Sequence, residues 1–329
     1  MNRLKVFLTR NTIVPIFIVF FLAFSLFVPQ FFTVTSLTTI INSNAYKGIM
    51  AIGMTFVIIN GYFDMSVCTS MALTALLACK LQPMCGVFSA VLIALLVGLL
   101  VGCINGFFVA YMNINAFVVT LATMLGCRGV ELIYAHNVAV PSAAFRAWGA
   151  SRLGYFTYIA LLFLVMLVCA QLVLKYTVHG RNTYASGGNK LSAFNAGINV
   201  KLTTFINFAI CGFTGGLGGV VCAVQNGASD PALGWPDTHM LVIAGVVLGG
   251  TKLTGGIGNL WYTLGGVTLL GMLDKVMSLL NVPTSGVKIT TGSVMILILL
   301  LDHFLKPATL EIEPPAETGT PEPVSAAAS

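Results

Sequence analysis

Ten long apolar runs separated by short polar connections dominate this chain, at roughly 13–29, 37–60, 64–79, 86–110, 116–135, 154–175, 203–225, 239–251, 261–281 and 288–305. About 20 apolar residues in a helix span the hydrocarbon layer of a bilayer, and several of these runs reach that length. None shows the strict alternation of a membrane barrel strand, and a helix satisfies its own backbone in lipid, so the runs are read as helices. Hydrophobic residues make up 57% of the 329 and charged residues 8%, whereas a soluble domain is about a quarter charged. The fold class is therefore all-α, a polytopic integral membrane protein with about ten transmembrane helices. The third and eighth runs are short, and Gly215-Gly216-Leu217-Gly218-Gly219 marks the seventh as a tight-packing or broken helix.

The net charge of +6 comes from Lys and Arg scattered singly, a pattern that argues against nucleic acid as a partner and points to membrane topology. With the N-terminus inside, Arg3, Lys5, Arg10, Lys175, Arg181, Lys190, Lys201, Lys252 and Lys306 fall in the cytoplasm, and Lys80, Arg146, Arg152 and Lys288 fall outside. The positive-inside rule supports that orientation, with both termini cytoplasmic. Pro29-Gln30 stands where a signal peptide would carry small residues, so the first run is read as an uncleaved span. The expected organisation is a cytoplasmic N-terminus (1–12), a transmembrane domain (13–306) containing a polar segment at 180–200, and a solvated cytoplasmic tail (307–329) rich in Pro, Glu, Thr, Ala and Ser.

Chemistry-bearing motifs are sparse. The eight cysteines form no C-x-x-C pair and lie mostly in apolar runs; Cys79 and Cys85 flank a predicted outer loop and are expected to stay free. His136, His179, His239 and His303 lack zinc-site spacing and are read as interfacial, so no metal site is expected. No phosphate-binding G-x-x-x-x-G-K-[ST] loop, dinucleotide fingerprint or nucleophile turn is present. The chain is thus expected to bind no cofactor and to be no enzyme.

The polar segment from Gly180 to Val200 is too long for a minimal turn. Asn189 can cap a helix start, Lys190 to Ala196 can make two turns, and Gly197 suits the left-handed residue that ends a helix. A short exposed docking helix is the expected product.

Ionisable residues inside spans cost about 2.5–3.5 kcal/mol each on insertion scales, which demands a partner or a wet cavity. Arg128 and Glu131 are spaced to pair on one helix face. Asp274 and Lys275 diverge by about 100°, so they line a pathway or form separate interhelical contacts; Lys47 is read as a bridge between spans. Asp64, just before the short third run, can cap the following helix or meet solute. Asn42, Asn44, Asn105 and Thr120 can hydrogen-bond a hydroxylated solute or another helix.

Several blocks together resemble the permease family of bacterial ABC importers for ribose, xylose, galactose-type sugars and related solutes. The polar segment matches that family's G-R-x-x-[YF]-A-x-G-G-N pattern at Gly180, Arg181, Tyr184, Ala185, Gly187, Gly188 and Asn189, followed by Gly197, Ile198 and Val200. Further blocks are Val57 to Thr69, with Gly61, Asp64, Ser66 and Val67; Asn105-Gly106 with Ala116 to Met124 and Arg128-Gly129; and Val246 to Thr251 with Leu253 and Gly255 to Gly258. The resemblance implies an inner-membrane permease whose segment at 180–200 is a coupling helix, contacting a cytoplasmic ATPase through Tyr184, Gly187, Gly188, Asn189, Ala193, Phe194 and Gly197. It also implies a periplasmic solute-binding protein and a second permease chain, the same or different, with ATP and magnesium held by the ATPase. Asn44, Asp64, Asn105, Thr120 and Asp274 are the candidate path residues, amid membrane lipids.

The chain departs from that pattern at Tyr62, Cys68 and Tyr262, where relatives have glycine, at Asn115, where proline is frequent, and at Asp274-Lys275 in place of Asn-Gly. Two other readings remain: an ion-coupled secondary transporter using Asp64 or Asp274 without an ATPase, and a membrane scaffold that transports nothing.

Overall fold

The computed structural model describes residues 13–134, 139–230, 233–234 and 237–305. Residues 1–12 with Arg3, Lys5 and Arg10, His136, the side chain of His303, and 306–329 with Lys306 and the expected tail lie outside the described residues. Thirteen helices and a two-stranded hairpin make up the described part. Ten of them follow the ten apolar runs: α1 (Ile13–Phe27), α2 (Val34–Ile59), α3 (Val67–Lys80), α4 (Gln82–Ala110), α5 (Ala116–Tyr134), α7 (Tyr158–Tyr176), α10 (Val200–Asn226), α11 (Thr238–Leu248), α12 (Leu260–Leu279) and α13 (Thr284–Leu305). The others are α6 (Ala143–Ala150), which precedes the hairpin of β1 (Arg152–Leu153) and β2 (Phe156–Thr157), and α8 (Val178–Gly188) with α9 (Lys190–Asn195) in the polar segment.

Four helices, α4, α5, α7 and α10, are long and apolar enough to cross a membrane by length and composition. The chain is an all-α, multi-pass membrane protein. Its outward surface carries large apolar side chains such as Met84, Phe88, Leu96 and Leu100 on α4, as expected where the surrounding solvent is lipid.

At the centre α10 lies between α2, α3 and α4. Lipid tails are as apolar as leucine, so helix association there rests on close packing of small residues. Gly102 and Gly212 show how close: a Cβ on Gly212 would fall 2.6 Å from Gly102 Cα, and one on Gly102 would fall 2.3 Å from Phe208 O. The glycine run in α10 serves the same end against α3, where a Cβ on Gly219 would meet Met71 O at 2.1 Å. It does not break the helix: α10 is continuous from Val200 to Asn226, because neighbouring backbones fill the space that glycine opens and its own hydrogen-bond ladder stays shielded.

The interruptions lie elsewhere. Between α2 and α3 the chain runs non-helically through 60–66, and α3, with 14 residues, is about 21 Å long. With 11 residues, α11 is shorter still, so both short runs of the sequence are short helices. A bend in α4 sits at Gly86 (φ 80°, ψ 167°).

Candidate functional site

Three sequence blocks that are distant along the chain converge at one end of the bundle. The C-terminus of α2, the end of α8 and the loop joining α11 to α12 meet backbone to backbone. Gly256 N–H donates to Ile59 O at 2.8 Å, and a Cβ on Gly187 would lie 1.7 Å from that same oxygen and 2.8 Å from Gly256 N. The Tyr184 hydroxyl donates to Gly258 O at 2.8 Å. Lys190 Nζ sits 4.0 Å from the centre of the Tyr62 ring, a cation–π contact that ties the start of α9 to the interrupted segment. The polar segment is thereby rooted in the bundle through both of its helices.

Its two helices arise from local chemistry. Thr177 caps α8 by accepting from Gly180 N at 3.2 Å, and Asn189 ends α8 and caps α9, its side chain accepting from Ser192 N at 2.9 Å. Gly197 has φ 80° and its N–H donates to Phe194 O at 2.9 Å, the left-handed stop expected there. The reading of Asn189, the following two turns and Gly197 matches the structure. Val178–Gly188, a polar connection by sequence, is helical.

The named residues of this segment divide by exposure. Gly187 and Ala193 are buried and Tyr184 half-buried, whereas Gly188, Asn189, Phe194 and Gly197 are exposed. On α9 the buried Ala193 faces the protein while Leu191 and Phe194 stand 70% and 69% exposed. Desolvation lifts the Tyr184 hydroxyl above the ordinary tyrosine value of 10.0.

His179, read from the sequence as interfacial, is half-buried, and its ring bonds Asn207 Oδ1 through Nε2 at 2.8 Å and stacks on Phe56 with centroids 6.3 Å apart. Thr183 Oγ1 donates to the same Asn207 oxygen at 3.2 Å. Burial holds the His179 pKa below 6.5, partly offset by the Asn207 bond. No sequence spacing signalled this trio, since it joins α8 to α10 only in three dimensions.

A second polar group lies deeper, where the interrupted segment meets α4, α5 and α10. Asp64 Oδ1 accepts from Ser66 N at 2.8 Å and Ser66 Oγ at 2.6 Å. Asn105 Nδ2 donates to Ser66 Oγ at 2.8 Å and to Asp64 Oδ2 at 3.3 Å, and Asn105 Oδ1 accepts from Thr123 Oγ1 at 2.7 Å. All of these partners donate to Asp64, and its bond from Ser66 N closes a local turn two residues ahead; Asp64 does not cap α3, whose N-cap residue is Ser66 with no side-chain cap bond. This cluster satisfies a backbone that has left helical geometry inside an apolar bundle. A cavity of about 410 Å³ opens between it and the end of the bundle that bears the polar segment, lined by Tyr62, Phe63, Asn113, Asn115 and Phe117 among others. Two of the departures from the family pattern, Tyr62 and Asn115, thus border one space.

Of the remaining candidates, Asn44 donates to Ile40 O at 2.9 Å and Thr120 to Ala116 O at 2.8 Å, each within its own helix. Asp274 is apart from the Asp64 cluster: Lys47 Nζ meets its Oδ2 at 2.9 Å, joining α2 to α12, which is the bridge expected of Lys47. Arg128 pairs with Glu131 at 2.8 Å on α5. Asn42 holds the hairpin, accepting from Thr157 N at 3.0 Å and donating to Tyr155 O at 3.1 Å. Cys79 and Cys85 are free thiols, and Cys68, another departure, lies 3.3 Å from His239 Nδ1.

In sequence the chain is matched by membrane transport permeases, and its multi-pass bundle accords with that class. The chain belongs to the family described as branched-chain amino acid transport system / permease component, which matches residues 36–299. It is similar to the L-arabinose transport system permease protein AraH of Escherichia coli (strain K12), 32% identical over 303 residues covering 89% of this chain and 90% of that one. The ribose import permease protein RbsC of the same organism is 33% identical over 283 residues, 84% and 88% of the two chains. The L-arabinose ABC transporter permease protein AraH of Azospirillum brasilense is 34% identical over 305 residues, 90% and 88%. No solved structure matches the chain.

Proposed function

We propose that this chain is the permease subunit of a binding-protein-dependent ABC importer that forms the path for a sugar, or a related small hydroxylated solute, across the bacterial inner membrane. The family description names amino acids, but relatives named for arabinose and ribose match 89% and 84% of the chain, which favours a sugar. Ten membrane spans with both termini cytoplasmic accord with the apolar runs and the charge asymmetry.

The observation that carries the reading is the rooted polar segment. On its outer side α9 presents Leu191 and Phe194, large exposed apolar side chains in a segment outside the long apolar runs, a surface that suits a protein partner. On its inner side Tyr184 and Gly187 abut the ends of α2 and the α11–α12 loop. A push on α9 from the ATPase, which would hold ATP and magnesium, therefore reaches the start of the interrupted segment and the Asp64–Asn105 cluster beyond it. Gly188, Asn189, Ala193 and Gly197 shape the helix that receives the push. Asp64 and Asn105 border the path; Asn44, Thr120 and Asp274 are its further candidate residues. A periplasmic binding protein delivers the solute, and a second permease chain completes the path.

The test is uptake by proteoliposomes containing the permease, its ATPase and its binding protein. Uptake requiring ATP and all three components is the expected result. Uptake driven by an ion gradient without the ATPase would establish the secondary-transporter reading instead, and intact assembly without flux would establish a scaffold.

A further inference from the structure

The end of the bundle opposite the polar segment carries a cup that none of the roles above uses. Its walls come from the first turns of α2, from α6, from the hairpin strand β1 and from the last residues of α10, and it encloses about 380 Å³, within the range of about 300–1,000 Å³ typical of small-molecule sites. Arg146 and Arg152 both line it, and none of the lining side chains is acidic. The three ion pairs among the described residues use Lys47, Arg128 and Lys288, so neither cup guanidinium is neutralised by one of them.

Both cations stand on anchored elements. Ser142 caps α6 by accepting from Phe145 N at 3.3 Å, and its own N–H donates to Gln82 Oε1 at 2.8 Å. Gly149 lets α6 lie against α10, since a Cβ there would fall 1.7 Å from Val224 Cγ1. The hairpin that bears Arg152 is clamped by the two Asn42 bonds to Tyr155 and Thr157.

The neutral polar groups of the cup are hydroxyls and amides, among them Ser43 and Asn226. Asn226 gives one of its two Nδ2 hydrogens to Cys222 Sγ at 3.4 Å, and its Oδ1 can accept. Gln225 gives Nε2 to Asn42 O, and its buried Oε1 is closed to the cup. Two guanidiniums seek oxyanions, and amide oxygens seek hydroxyl protons. A cup of this volume suits a small solute that carries both groups.

We propose that this cup is a receiving site for an anionic polyhydroxylated solute, a sugar bearing a carboxylate or a phosphate, bound by Arg146 and Arg152 with its hydroxyls meeting Asn226 and Ser43. The inference rests on the transport reading above and narrows its solute class.

The experiment uses the full chain in nanodiscs of zwitterionic lipid, with gluconate, glucose 6-phosphate and glucose as calorimetric probes. An anionic probe binds about tenfold or more tightly than glucose, the ratio that one modest charge-assisted hydrogen bond gives; carboxylate and phosphate are told apart by which probe leads. Arg146→Gln with Arg152→Gln abolishes the preference, and the paired Lys variants keep most of it, which separates loss of charge from loss of fold. Equal binding of anions and glucose by the wild type, or a preference that survives the double Gln variant, overturns the proposal. So does a double Gln variant that keeps the preference but no longer captures the binding protein, since the guanidiniums then serve protein carboxylates. ATP-driven uptake of neutral sugar with no anion preference overturns this inference alone; absence of ATP-driven uptake of every solute overturns the transport reading, whatever the cup binds.

Discussion

Replacing Gly187 by alanine adds one methyl group at the point where α8 touches the end of α2. The new carbon would stand 1.7 Å from Ile59 O, and the separation must open to at least 3.0 Å for any real Cβ. That oxygen already accepts from Gly256 N–H at 2.8 Å, so the opening stretches or breaks the bond that joins the α11–α12 loop to α2. A buried donor left without its partner costs about 1–3 kcal/mol, and overpacking costs a further 1–3 kcal/mol or so, giving about 2–6 kcal/mol in all. Gly188 is the control beside it: a Cβ there meets nothing within 4 Å, and its alanine variant is expected within about 0.5 kcal/mol of wild type. Thermal unfolding of the purified protein in detergent reads both. Gly187→Ala lowers the midpoint by about 5 °C or more and Gly188→Ala leaves it in place. Equal midpoints for wild type and Gly187→Ala, or equal losses for the two variants, would refute the junction as described.

Other expectations follow from single contacts. Lys47→Met and Asp274→Leu each destabilise more than their combination predicts, with a coupling of about 0.5–3 kcal/mol in a double-mutant cycle, because each single change strands the other charge of the 2.9 Å pair. Asp64→Ala strands the donors on Ser66 and Asn105 and lowers the unfolding midpoint more than Asp64→Asn, which keeps one acceptor oxygen. Since burial depresses the His179 pKa below 6.5, the folded state favours neutral imidazole. Its contribution is full above the unfolded value and is lost as pH falls through the depressed folded value. His179→Gln therefore flattens the stability profile on the acid side of pH 6.5, and an unchanged acid slope would contradict the burial.

Element positions were legible because long apolar runs leave the backbone one solution in lipid. Helix lengths, the short α3 and α11, and the stop at Gly197 with φ 80° followed from local residues. The glycine run in α10 was legible as close packing but not as an unbroken helix, since a run of glycines has the same composition whether neighbours seal it or not. At the site, Asn189 and Gly197 announce themselves by capping chemistry, and the Arg128–Glu131 pair by its spacing. What sequence could not reveal is convergence. Ile59, Gly187 and Gly256 lie in three separate blocks, and their junction is a matter of backbone approach that residue types only permit. The His179–Asn207 bond and the partnership of Asn105 with Asp64 are likewise products of tertiary placement. Asn44 and Thr120, polar residues in spans, turned inward to their own helices, the commoner use of such groups.

The central claim is that the segment from Gly180 to Val200 transmits work from an ATPase to the transmembrane path. Gly197→Glu tests it most directly. The position has φ 80° with open space around it, so the variant strains one exposed turn and adds a charge beside Phe194 while the helices of the bundle keep their contacts. In proteoliposomes with the ATPase and binding protein, solute uptake and its coupling to ATP hydrolysis are measured together with membrane insertion. Normal insertion with uptake lost and hydrolysis uncoupled from solute is the predicted result; wild-type uptake by Gly197→Glu would contradict the claim.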